Sequence, residues 1–141
     1  MSTFEKISHT DRSIYGPRKL LLCGFSDQAK SKFRALLNLI GIANLPLVWV
    51  GAEQLDQPIK KILAFPHDSG VDTSAGKDRA IVVAGIAEKE LHQLMTGCRQ
   101  AGMKDALWAA LTPTSEQWTA SQLIAELKAE RAAMAKRKRK F

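Results

Sequence analysis

Apolar positions along this chain form two kinds of run. KLLLC (19–23) and AIVVA (80–84) are short and continuously apolar, the pattern of a strand covered on both faces. Each is followed by apolar residues at helical spacing: Ala29, Phe33, Leu36, Leu37 and Ile40 after the first, Leu91, Leu94, Met95, Cys98 and Ala101 after the second. Ser26 suits the N-cap of the first helix, with Asp27 in its first turn. Ala87 holds the matching position before the second helix and cannot cap, so Glu88 supplies only a dipole term. Gly41 and Gly102 suit the left-handed position after each helix, with Ile42 and Met103 placed for a Schellman contact. LPLVWV (45–50) and DALWAAL (105–111) read as the next strands. A helix is expected over 53–63, with Pro58 limiting its start. Thr119-Ala120-Ser121-Gln122 reads as a capping box, and Trp118 with Leu123 as its hydrophobic staple. It opens a helix whose apolar stripe, Leu123, Ile124, Leu127 and Met134, weakens beyond Ala129.

The two runs share one plan. Sliding the chain by 61 residues lays 21–49 on 82–110, so that Gly24 meets Gly85, Asp27 meets Glu88 and Gly41 meets Gly102. The expectation is an α/β fold of pseudo-duplicated βαβα units, 19–63 and 80–129. They build a four-stranded, mainly parallel sheet of order 2-1-3-4 with packed helices and an extended C-terminal helix. Packing on one face only, or a ferredoxin-like split, are the alternatives. Pro46 removes a ladder donor and favours an edge position for the second strand. Residues 1–17 form an N-terminal arm with Ile14 and Tyr15 as anchors, 18–130 a single domain, and 131–141 a basic tail. The Gly-bearing segment 64–79 is a connector: its glycine spacing and its place before a strand do not fit a phosphate-binding loop.

Composition narrows the class. With 141 residues, 45% hydrophobic and 25% charged, the chain reads as an ordinary globular domain. No apolar run reaches the roughly 20 residues of a membrane span, and the first residues lack a signal-peptide core. Two cysteines without CxxC spacing fit neither a disulfide scaffold nor a zinc site, and a cytoplasmic setting is expected. The net charge of +7 is concentrated at one end. Arg131, Lys136, Arg137, Lys138, Arg139 and Lys140 occupy ten residues without an acid; without them the chain has 15 basic and 14 acidic residues.

Candidate chemistry is sparse. If the strands run together, Ser26, Asp27 and Glu88 meet Thr112, Thr114, Ser115 and Trp118 at their carboxyl ends, where open sheets bind ligands. Against this, the carboxylates Asp27 and Glu88 suit helix N-termini and would repel a phosphate. His67, Asp68 and Asp72 could approach a cation, but no metal spacing is present and no cofactor is implied. Cys23, Cys98, Trp49 and Trp108 read as core. No nucleophile–base set marks a catalytic residue. The tail bases can contact RNA, DNA or an acidic protein through charge alone, since nothing here reads base edges.

The stretch 81–128 resembles a small bacterial family of unknown function. The likeness lies in the Gly85-Ile86 turn, the helix ending at Gly102, and Thr112-Pro113-Thr114-Ser115 followed by Trp118 and LIAELKAE. Ser115 stands where that family has Asn. The resemblance implies no activity. The resulting expectation is a non-catalytic interaction module working through its tail, with a small-ligand binder or enzyme at the strand-end loops as the alternative. The sequence leaves the oligomeric state open.

Overall fold

The computed structural model describes residues 13–42, 44–51, 54–69, 79–103 and 106–139. Four strands, β1 (Lys19–Cys23), β2 (Leu47–Val50), β3 (Ala80–Ala84) and β4 (Leu107–Ala110), form one sheet in the order β2-β1-β3-β4. The helices are α1 (Asp27–Leu39), α2 (Ile59–Leu63), α3 (Glu88–Gln100) and α4 (Ala120–Arg139), with a 3₁₀ turn at Ser115–Gln117 before the last.

The strands alternate faces although they are apolar throughout, because successive side chains point to opposite sides. Leu20, Leu22, Trp49, Ile81 and Val83 join Phe33, Leu36, Leu37, Leu94 and Cys98 in one core layer, beneath α1 and α3. Leu21, Cys23, Val48, Val50, Val82 and Leu107 meet Ile59, Ile62, Ala120 and Leu123 in the other, beneath α2 and α4. Helices therefore cover both faces. Where α1 and α3 touch, Gly97 makes room: a Cβ there would lie 2.6 Å from Leu36 Cδ1.

The strand order matches the expectation, but the sheet is mixed and not mainly parallel. The outer pairs β1–β2 and β3–β4 are parallel, and the central pair β1–β3 is antiparallel, with Lys19 opposite Ala84 and Cys23 opposite Ala80. The route between the halves explains the reversal. Helix α2 ends beside the start of β1, where Lys19 Nζ donates to the carbonyls of Leu63 (2.8 Å) and Phe65 (2.5 Å). Residues 66–69 then run alongside β2 in its own direction, bridging Val48 to Ser69. Asp68 N–H donates to Leu47 O at 2.7 Å, and Trp49 N–H to Ser69 O at 2.9 Å. That extra pass carries the chain toward the carboxyl end of β1, where β3 begins and runs back.

Local expectations fare better. Ile42 N–H reaches Leu37 O at 2.9 Å and Met103 N–H reaches Cys98 O at 2.8 Å, the long bond of a Schellman stop, with Gly41 and Gly102 at φ +83° and +86°. The helix expected over 53–63 shrinks to Ile59–Leu63, because Pro58 stays extended (ψ 140°) and holds the preceding residue out of the helical region. The arm is anchored as expected at Ile14, whose N–H donates to Ile86 O (2.7 Å) and whose O accepts from Gly85 N–H (3.1 Å). Tyr15, 44% exposed, ties the arm to Glu116 through a 2.9 Å hydrogen bond.

Candidate functional site

The antiparallel centre separates the loops expected to converge. Ser26 and Asp27 follow β1 at one end of the sheet. Glu88 and Thr112–Trp118 follow β3 and β4 at the other. Each group also has a structural occupation. Ser26 Oγ accepts from Ala29 N–H at 3.2 Å, capping α1, and exposed Asp27 lies 3.9 Å from Lys30 Nζ. Ser115, 6% exposed, closes a reciprocal ring with Thr112: each backbone N–H donates to the other's hydroxyl at 3.0 Å. The hydroxyl of Ser115 thus caps the turn. Thr114 is exposed. Trp118 is half-buried against the core layer beneath α2 and α4, and its carbonyl accepts from Ile59 N–H at 2.8 Å. Pro58 and Thr119 bridge beside it.

The residue that organises the Glu88 end is Glu90, which sequence reasoning misses. Its carboxylate accepts from Ala87 N–H at 3.0 Å, half of a capping box whose other half alanine cannot make. It also takes a bidentate pair from Arg18 at 2.7 and 2.6 Å. The Arg18 bond, helped by the Ala87 N–H, holds the Glu90 carboxyl below the usual range, against the opposing effect of partial burial. A Glu three residues after the cap is the signal that could have found it. Gly85 sits inside this knot at φ +64°, with Arg18 N only 2.4 Å from where a Cβ would be.

A second cluster fixes the outer edge of β2. Asp68, at φ +65°, accepts from Trp49 Nε1 at 2.8 Å and pairs with Arg34. The Trp49 bond and the Arg34 guanidinium lower the Asp68 carboxyl pKa. Lys30 and Arg34 lie 5.4 and 5.3 Å from the Trp49 ring centroid. His67 Nδ1 accepts from Leu47 N–H at 3.0 Å. His67 and Asp68, the pair expected to approach a cation, are thus built into an edge strap, and Asp72 lies outside the described residues. Among the described residues no three His, Cys, Asp or Glu side chains are grouped to hold a metal. Burial pushes the Cys23 thiol up to about 12 and the Cys98 thiol up to about 11.

Trp49 and Trp108 both lie on outer strands, but Trp49 is core at 1% exposure because residues 66–69, Lys30 and Arg34 cover its edge, whereas Trp108 is only half-buried. Open hollows mark the surface. One of about 680 Å³ lies along α3 between Ile40, Glu88, His92, Thr96 and Gly97. Another, about 300 Å³, lies by Ser26, Lys32, Arg79 and Gly102. A further one, about 420 Å³, lies between β4 and the rear of α4.

The tail is helical. Helix α4 runs unbroken from Ala120 to Arg139, about 30 Å at 1.5 Å per residue. Its capping box forms as expected: Thr119 N–H donates to Gln122 Oε1 at 2.9 Å and Gln122 N–H to Thr119 Oγ1 at 3.1 Å. Ala120 and Leu123 are buried, while every residue from Lys128 to Lys136 is exposed. Arg131 is not a loose cation: its Nη2 donates to Ala106 O at 3.1 Å and ties the helix to the start of β4. Lys136 is exposed. Arg137, Lys138 and Arg139 continue the helix, and Lys140 lies outside the described residues.

Residues 79–134 match the family model Domain of unknown function (DUF3783). The resemblance read from 81–128 falls within that span. The matched unit is β3, α3, β4, the Thr112–Ser115 turn and most of α4. No curated protein and no solved structure matches the chain.

Proposed function

We propose that this protein is a small non-catalytic interaction module that presents the cationic end of α4 to phosphate-bearing partners, nucleic acid first among them. One observation carries the reading: the front of α4 is docked in the core while Lys128 to Lys136 stand exposed on it, and the helix runs on through Arg137, Lys138 and Arg139, so that 128–139 bear most of the chain's excess charge. A helix displays its bases along a fixed rod, and cations near its C-terminus also complement the dipole. Such a rod contacts phosphates by counterion release and reads no bases. Acidic proteins are served by the same charges. The fold supports the same picture, since the loops able to hold a small ligand are split between opposite ends of the sheet.

The reading includes two finer elements. The protein works in the cytoplasm, and its halves are divergent copies of one unit; the equal lengths of β1 and β3, of α1 and α3, and of β2 and β4 favour this.

The test is binding of the full chain to labelled RNA and duplex DNA over a salt series. The expected plot of log affinity against log salt is linear and steep, with a slope of about 0.7–0.9 per phosphate neutralised. Removing 136–141 should flatten that slope. An unchanged slope in the truncated chain rejects the tail as the contact.

A further inference from the structure

The two edges of the sheet are treated differently. The β2 edge is closed by residues 66–69, which take its backbone hydrogen bonds. The β4 edge carries no such strap among the described residues. Leu107 N–H and Leu111 N–H donate inward, to Arg79 O (2.8 Å) and Val83 O (2.9 Å). Strand residues alternate in direction, so the N–H and C=O groups of Trp108 and Ala110 face outward. No described residue pairs with them, and the outward carbonyl of Ala106 is the one that Arg131 has taken. The segment LWAA holds no charge and no proline, the devices that normally blunt an edge.

We infer that β4 is the dimerisation strand of this protein, pairing antiparallel with β4 of a second copy to join two sheets edge to edge. Two features choose a second copy over a foreign strand. The first is shape. A two-fold axis at Ala109 sets Trp108 opposite the partner copy's Ala110, and Ala110 opposite the partner copy's Trp108. Each copy then donates twice and accepts twice, and the large half-buried indole meets a small exposed neighbour on the same face. The second is charge. The same axis lays the two α4 helices antiparallel across the seam. Ahead of Arg131, α4 and its lead-in carry Glu116, Glu126 and Glu130 against Lys128, whereas from Arg131 onward the helix carries only bases. Antiparallel helices bring acidic front toward basic rear twice over. The hollow between Trp108, Leu127 and Met134, the last 58% exposed, lies beside this seam.

The experiment is sedimentation of the full chain over a wide concentration range, with amide exchange read at dilute and concentrated ends. The wild type should dimerise, and the Trp108 and Ala110 amides should exchange more slowly in the concentrated sample. Ala110→Pro removes one outward donor per copy without touching the inward ladder, and should raise the dissociation constant about a hundredfold at unchanged circular dichroism. If that variant does not fold, Ala110→Lys replaces it, with the same expected loss. A wild type that stays monomeric throughout overturns the inference. So does a dimer that survives either folded variant, or one in which those two amides stay unprotected. None of these outcomes depends on nucleic acid, so the inference and the proposed function fail separately.

Discussion

Gly85 shows how much one missing side chain can decide. Its φ of +64° and the 2.4 Å approach of Arg18 N leave no place for a Cβ, and the obstacle is backbone, which cannot swing aside. Gly41 has a similar φ, +83°, but nothing lies within 4 Å of where a methyl group would sit. The two therefore separate strain from collision. Gly41→Ala should cost about 1 kcal/mol in urea unfolding, the ordinary left-handed penalty. Gly85→Ala should cost at least about 2–3 kcal/mol, because the arm must move as well. The cysteines make the opposite point, that a reactive group can be silenced by place. With burial pushing the thiols up to about 12 and about 11, neither Cys23 nor Cys98 should be labelled by a thiol reagent in the native protein, and both should be labelled in denaturant.

Among the elements, α3 has a start that depends on a distant side chain. Glu90 joins the Ala87 amide to Arg18, and so joins the helix to the entry of β1. Its folded-state pKa lies below the unfolded value. The stability it contributes is therefore present above the unfolded pKa of about 4.3 and is lost as pH falls through the folded value. Thermal melts should show this acid-side loss, and Glu90→Gln should shrink it while lowering the melting temperature at neutral pH. Much of the rest at this scale is legible in the residues alone. Both Schellman stops, the Ser26 cap and the Thr119–Gln122 box rest on contacts within a few residues, which spacing can encode. Glu90 is only half legible: its place three residues after Ala87 is visible, whereas Arg18 is reached through the fold. The short α2 is overestimated from sequence because a periodic apolar pattern hides the cost of Pro58. The direction of β3 is not legible, since AIVVA presents the same buried pattern whichever way it runs. That direction depends on the course of 66–69, which hydrogen bonds to β2 determine. The same dependence undoes the candidate ligand site, which needs all strands to end together.

For the molecule as a whole, the strap along β2 is the joint that sets the topology. Asp68 holds it from three sides, through its own amide, the Trp49 indole and Arg34. Asp68→Ala should cost about 1–3 kcal/mol by leaving the Trp49 N–H without an acceptor. Asp68→Asn keeps an acceptor and a tolerated left-handed backbone, and should lose little, because an exposed ion pair contributes little. Chemical unfolding of both variants checks the ranking.

The reversed centre also governs the long-range field. Because β1 and β3 run in opposite directions, the helices laid back along them do too, and the dipoles of α1 and α3 oppose each other instead of adding. A doubly wound sheet gathers its helix N-termini at one pole, which is why such folds so often cradle anions there. Here that pole is cancelled by symmetry. If the basic end of α4 is the contact proposed above, a polyanion should orient by that one helix, since the opposed dipoles of α1 and α3 offer it no common pole.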